Sequence, residues 1–262
     1  MDKLKNDKYI IFLDIDGTVM VNNAVPELDV KAIDKARELG HKVFINTGRA
    51  YGFFPKELQE ALEYDGVVCG LGSYIRIGDE VIYSSVLSCE VIHTIVNEMY
   101  DKGLMILLEG EKRNIFMLKK DGEDKGAYTP ETLPDEVVLD SRINKITFGV
   151  LNDEQEKYLS QYVTVFRHPN YSEVAQKGCS KSNGMKQVLE YYGTDISHCI
   201  AMGDSLNDSD MLEAAGISVA MGNAVDYIKS ICDYVSVDAD KGGVAVAIMK
   251  FIPEVADALK SN

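Results

Sequence analysis

Two aspartates one residue apart, Asp14 and Asp16, end the apolar run in "YIIFLDIDGTVM", and the chain turns at Gly17 and Thr18. At the end of a buried strand such a pair is costly, because like charges in a poorly polarisable interior repel unless a cation or a proton intervenes. The plain alternative makes one of them a helix cap or turn former, a common use of Asp-Gly-Thr. A second acidic group, Asp204 with Asp208 in "GDSLND", also follows an apolar run. Several carboxylates meeting at one edge suit a hard divalent cation, and magnesium, which takes one or two carboxylates with a carbonyl and waters, fits them. Thr47 and Gly48 in "NTGR" add a hydroxyl and an unhindered N–H, which beside a helix N-terminus make an anion site; a simple N-cap is the competing role for Thr47. Lys181 stands just before a helical pattern, where the dipole mildly disfavours a cation, so an anion is expected beside it unless it is solvated at the surface. Carboxylate nucleophile, second carboxylate, hydroxyl, lysine and metal carboxylates together describe phosphoryl transfer through an aspartyl phosphate.

These groups need elements that end at one edge. The first third alternates strand and helix: a strand at Tyr9–Leu13, a helix from Pro26 stopped at Gly40, strands in "HKVFIN" and "DGVVCGLG", and a hairpin around Gly78-Asp79. From Val86 to Ala175 strands come in groups, with helices in "CEVIHTIVNEMYDKG" and "NDEQEKYLSQY" and a polar loop, "DGEDKGAYTPETLPDE", which is the pattern of an α+β unit with an antiparallel sheet. After Gly178 the alternation resumes and ends in a single helix from Gly243. The fold class expected is α/β, a Rossmann-like parallel sheet built from residues 1–85 and 176–262, with an inserted α+β unit over 86–175. In such sheets ligands sit beyond the carboxyl ends of the strands, which is where all four polar clusters fall.

With 262 residues and 46% apolar content the chain can bury a full core. Its net charge of −15 disfavours nucleic acid and anionic membrane as partners, so an anionic substrate must be met by local positive charge. The polar start, "MDKLKND", and the lack of any long apolar stretch point to a cytoplasmic protein, with monomer or weak homodimer the default. Five scattered cysteines without a C-x-x-C pair read as reduced thiols, and the four histidines do not pair with them at zinc spacing.

"DIDGT" at Asp14–Thr18, "NTGR" with Thr47, Lys181, and "GDSLND" at Gly203–Asp208 resemble, in type and order, the four motifs of the haloacid dehalogenase superfamily of phosphohydrolases. The long interval between Thr47 and Lys181 resembles the type 2 (C2B) cap insertion of its Cof-type subgroup. The resemblance implies that Asp14 attacks phosphorus and that Asp16 protonates the leaving alcohol and then deprotonates water. It implies magnesium held by Asp14, the carbonyl of Asp16 and Asp204, with Asp208 as ligand or support, and phosphate oxygens held by the Ile15 amide, Thr47, Gly48, Lys181 and Asn207. The partner implied is a small phosphorylated metabolite such as a sugar phosphate; a phosphomutase and a non-catalytic phosphate-responsive switch are the alternatives. Ser182 after Lys181, and "CGLGSYI" where relatives often carry Asn-Gly, depart from the pattern without touching the catalytic set. Arg49 either reaches substrate or pairs with an acid of the core; "RHPNYSE" and the acidic loop of the insert either face the site or are solvated loops, and no residue of the insert is assigned to the site.

Overall fold

The run Ile10–Leu13 is fully buried and forms the strand around which a sheet is built. The computed structural model describes residues 4, 5 and 7–260; residues 1–3, 6, 261 and 262, part of the polar N-terminal stretch among them, lie outside the described residues. The chain begins with β1 (Ile10–Leu13), α1 (Glu27–Glu38), β2 (Lys42–Asn46), α2 (Lys56–Ala61), β3 (Gly66–Cys69), β4 (Tyr74–Ile77) and β5 (Glu80–Ser84). It continues through α3 (Cys89–Tyr100), β6 (Ile106–Gly110), β7 (Asn114–Lys120), β8 (Glu123–Gly126), α4 (Asp135–Ser141), β9 (Ile143–Phe148), α5 (Asp153–Leu159), β10 (Thr164–Arg167) and β11 (Ser172–Ala175). It ends with α6 (Lys181–Tyr191), β12 (Cys199–Gly203), α7 (Ser209–Ala214), β13 (Ile217–Ala220), α8 (Asp226–Ile231), β14 (Tyr234–Val235), α9 (Gly243–Phe251) and α10 (Pro253–Lys260).

The first and last groups of strands make one eight-stranded sheet in the order β14-β13-β12-β1-β2-β3-β4-β5. It is parallel from β14 to β3 and antiparallel at the β4–β5 hairpin. Alternate residues of β1 serve opposite layers. Ile11 and Leu13 pack with Ile33 of α1 and Ile248 of α9, whereas Ile10 and Phe12 pack with Met185 and Val188 of α6. Burying each such side chain contributes about 1.5–3 kcal/mol, which is why this strand tolerates a charged end. The chain leaves β1 toward β2 on one side and returns as β12 on the other, so the end of β1 is the switch point where an α/β sheet opens a crevice.

The middle group forms a second, antiparallel sheet in the order β10-β11-β9-β6-β7-β8. Ile106, Leu108, Ile146, Phe148 and Val174 turn one face toward Ile92, Ile95 and Met99 of α3. Helix α3 follows from that i, i+3, i+7 spacing and from Ser88, whose side chain accepts from the Val91 amide. The overall class is α/β with a separate antiparallel sheet between the two halves of the parallel one, as expected.

Four local expectations change. The polar loop contains β8, whose four residues are exposed and which is held by pairing with β7, not by burial; the Asp121-Gly122 turn, with both φ values positive, supplies the hairpin. Helix α4 starts after Pro134, with its first residues, Asp135 and Glu136, inside the acidic stretch read as a polar loop. Pro253 starts α10 where one helix was expected. Lys181 lies inside α6 as its first residue, because Ser180 is the N-cap and accepts from the Asn183 amide. Among the described residues no helix is long and apolar enough to cross a membrane.

Candidate active site

Asp14 leaves β1 with its amide bound to the Met202 carbonyl of β12, and its side chain is 5% exposed. The next residues fold back tightly: the Gly17 amide donates to the Met20 carbonyl, and the Ile15 carbonyl accepts from the Thr18 and Met20 amides above a fully buried Ile15 side chain. Gly17 has φ +78°, and a Cβ there would lie 2.4 Å from Oδ2 of Asp204, so only glycine fits this approach. Buried Thr18 places its hydroxyl 3.5 Å from Oδ1 of Asp204.

Lys181 is the hub. Its ammonium, 0% exposed, donates to Oδ1 of Asp14 at 2.7 Å and to Oδ1 of Asp208 at 2.6 Å. Asn46 at the end of β2 binds the Lys181 carbonyl through Nδ2 at 3.1 Å and so fixes where α6 begins. Oδ2 of Asp208 accepts from the Asp204 and Ser205 amides, each at 3.1 Å, which locks the loop after β12. One carboxylate oxygen from each of Asp14, Asp204 and Asp208 lies within 4.8 Å of the others. One ammonium among three carboxylates leaves the cluster short of positive charge. Burial, then the Asp208 charge, push Asp14 up to about 7 against the pull of Lys181, and the same causes lift Asp204 to about 7. Burial works to lower Lys181, but the charges of Asp14 and Asp208 outweigh it and hold the ammonium protonated. An all-oxygen donor set with a deficit of positive charge fits a hard divalent cation.

Thr47, buried at the end of β2, accepts from the Arg49 amide at 3.1 Å through its hydroxyl. It does not cap an α-helix: a short 3₁₀ turn at Tyr51–Phe53 follows, and α2 starts only after Pro55. A Cβ on Gly48 would make ordinary contacts, 3.6 Å from Cδ2 of Leu71, 3.8 Å from Nδ2 of Asn207 and 3.9 Å from Oε2 of Glu173, which places its backbone between the end of β2 and those groups. Asn207 accepts from the Ser205 hydroxyl at 2.5 Å. Asp16 stands apart from the carboxylate cluster by its side chain, held by Arg49 in a two-pronged pair with Nε–Oδ2 at 2.8 Å and Nη2–Oδ1 at 2.7 Å.

Asp14, Asp16, Thr47, Gly48, Arg49 and Asn207 line one cavity of about 460 Å³. Its other wall is Glu109, Lys145, Tyr171 and Glu173 from the second sheet and its loop, with Phe53 at the side. Glu109, Lys145 and Phe53 escaped the sequence reading, whereas Tyr171 and Glu173 lie in "RHPNYSE", which it left unassigned. The signal was there in the strands: Glu109 is the single polar side chain in the apolar run "LMILLEG", and Lys145 is the one charge in the strand "INKITF". His168 and Glu173 of "RHPNYSE" meet at 3.0 Å. The other histidines have local roles, as in His41, whose Nδ1 accepts from the Tyr9 amide, and all five cysteines are free.

A sheet whose switch point gathers an aspartate, a buried lysine and further carboxylates around a cavity is the architecture of a phosphate-handling α/β hydrolase. The family model of haloacid dehalogenase-like hydrolases matches residues 11–248, and the chain belongs to that family, as an enzyme of the phosphatase class. YkrA of Bacillus subtilis (strain 168) is 31% identical to it over 254 residues, 92% of this chain and 97% of that protein. The 5-amino-6-(5-phospho-D-ribitylamino)uracil phosphatase YitU of the same organism is 26% identical, with 92% and 97% covered. Among solved structures, the HAD subclass IIB sugar phosphatase BT4131 superposes with a TM-score of 0.77 at 26% identity, covering 93% of this chain and 99% of that one. BT1666 from Bacteroides thetaiotaomicron gives 0.78 at 25%, covering 93% and 95%.

Proposed function

We propose that the protein is a magnesium-dependent phosphatase that hydrolyses small phosphomonoesters, sugar phosphates or similar metabolites, through an aspartyl phosphate on Asp14. The observation that carries this is the position of Asp14: at the switch point, on the cavity wall, with one oxygen held by buried Lys181. Residues 1–85 with 176–262 act as the catalytic core and 86–175 as the cap that closes over it.

Lys181 binds Oδ1 of Asp14, which leaves Oδ2 for phosphorus. As the bond from Asp14 to phosphorus forms, the bond from phosphorus to the ester oxygen breaks, and Asp16 gives that oxygen its proton. Asp16 then takes a proton from water, whose oxygen attacks the same phosphorus and frees Asp14 and inorganic phosphate. Thr47, the Gly48 and Ile15 amides, Asn207 and Lys181 hold the phosphoryl oxygens. Asp14, the Asp16 carbonyl and Asp204 would hold magnesium, which when bound would neutralise charge on the transferring group. Asp208 supports this set from behind, since Lys181 occupies one of its oxygens and two backbone amides the other. The reading is supported by the family match and by the YitU and BT4131 likenesses. Purified protein is expected to hydrolyse p-nitrophenyl phosphate with magnesium, and Asp14→Asn to abolish turnover; persistent activity in that variant would sink the mechanism.

A further inference from the structure

Asn46 ends β2 on the face that carries Phe44 two residues earlier, and so points into the apolar layer that holds Val68, Met185 and Met211. It is 0% exposed. An amide buried among apolar side chains costs stability unless both of its ends are bonded. Here only the donor end is. Nδ2 gives one hydrogen to the Lys181 carbonyl at 3.1 Å and turns the other to Sδ of Met211 at 3.1 Å, a weak acceptor, while Oδ1 has no protein partner. A leucine would fill this space with no orphaned acceptor, and the Lys181 carbonyl keeps a second lone pair for the helix. The packing of the layer does not call for asparagine.

The donor end shows what the amide does. Thr47 follows Asn46 directly, and its own amide donates to the Val68 carbonyl of β3 at 2.8 Å, which fixes the residue that brings a hydroxyl to the cavity. Lys181 is the first residue of α6. One peptide unit and one hydrogen bond therefore join the hydroxyl-bearing residue of β2 to the ammonium-bearing residue of α6. Gly184 lets the helix come this close: a Cβ there would lie 2.5 Å from Cγ1 of Val68 and 3.1 Å from Cα of Gly72. On the other side Asp210, in the first turn of α7, accepts from the Ser182 amide through Oδ2 at 3.0 Å. The start of α6 is clamped between the sheet and α7, and Asn46 is the polar clamp from β2. The bonds of the Lys181 ammonium depend on the charge of Asp14 and Asp208, whereas the bond to its carbonyl does not.

We infer that Asn46 is a positioning residue for phosphoryl binding, which sets the separation between the Thr47 hydroxyl and the Lys181 ammonium by holding the first residue of α6 to the end of β2. It touches neither the substrate nor the carboxylate cluster and acts through the residues on either side of its hydrogen bond. The inference rests on the phosphatase reading above and adds a residue that the reading does not contain.

The test compares Asn46→Leu with wild-type protein in three measurements: the melting temperature, steady-state kinetics on p-nitrophenyl phosphate with magnesium, and calorimetric titration with inorganic phosphate and magnesium. The melting temperature should be no lower than that of wild type. Displacing two binding groups relative to each other should lower kcat/KM by about tenfold or more and weaken phosphate binding by about tenfold. A packing role predicts the reverse, a lower melting temperature with unchanged kinetics in the folded protein. Should the leucine variant fail to fold, Asn46→Ala is read on kinetics and phosphate binding alone. Unchanged kcat/KM and phosphate affinity in a folded variant overturn the inference and leave the phosphatase reading standing. Absence of turnover by wild-type protein removes that reading instead, and the phosphate titration then decides: weaker binding by the variant supports Asn46 as the clamp, and equal binding, or none by either protein, overturns it.

Discussion

Replacing Lys181 by methionine keeps its length and removes its charge. The ammonium is fully buried and bonded to two carboxylates, Asp14 and Asp208, with Asp204 beside them. Removing one partner of a buried ion pair costs about 3–5 kcal/mol, because the other is left uncompensated. At roughly 2–4 °C per kcal/mol for a chain of this size, the melting temperature in EDTA at pH 7.5 should drop by about 6–20 °C. Magnesium restores positive charge to the same cluster, and a ligand at a hundred times its Kd adds about 2.7 kcal/mol, so the gap to wild type should narrow when magnesium is added. Lowering the pH to 5.5 should narrow it too, since the carboxylates can then take protons. Turnover should fall by at least about a hundredfold with the loss of a preorganised cation on the phosphoryl group. The assay is calorimetry or fluorescence melting beside kinetics on one preparation. A melting temperature within 2 °C of wild type in EDTA would refute the account of Lys181 as the hub of a charge-deficient cluster (the 2 °C margin being about one kcal/mol or less).

Three other outcomes follow from the same physics. In chelated wild-type protein Asp14 and Asp204 titrate near 7, above the ordinary 3.8 of an unfolded aspartate, so their stabilising share is present at acid pH and lost as pH rises through 7. The melting temperature in EDTA should therefore fall between about pH 4 and 7 and level off above, and saturating magnesium should reduce the fall; a flat EDTA profile over that range would count against it. Asp29, wholly buried, accepts from the Ala245 amide through Oδ1 at 2.7 Å and leaves Oδ2 without a partner. Burial lifts it from 3.8 to about 6, so about 3 kcal/mol of stability present below pH 4 is lost as pH rises through 6. Asp29→Asn should raise the melting temperature at pH 8 relative to wild type and lower or equalise it at pH 4, and a difference that ignores pH would refute this. Arg49→Met breaks a solvent-exposed pair and should move the melting temperature by no more than about 3 °C. It should nevertheless lower kcat/KM about tenfold by freeing the Asp16 carboxylate; unchanged kinetics would exclude positioning by Arg49.

The candidate site was legible before any coordinates because each polar group sits directly after a recognisable apolar strand or at the start of a helix. Strand alternation and Gly17 then force Asp14 and Asp204 together, and the four motifs needed only the rule that parallel strands end at a common edge. Elements without a burial pattern were not legible. Strand β8 is exposed throughout and exists through its partner, and α4 buries only Val138 and Ser141 and opens inside an acidic stretch, so it carries no apolar stripe.

Sequence alone determined the α/β class, the inserted unit and the acidic and basic groups at the strand ends, since those depend on apolar spacing and on neighbours along the chain. Tertiary structure decided how the charges are shared. Lys181 meets Asp14 from 167 positions away, Arg49 takes Asp16 from 33, and Lys145 joins Glu109 to Glu173 across three strands. Whether a buried charge is paired, crowded or left open to a cavity is set by distances between chain-remote groups in a low dielectric, and no local pattern encodes those distances.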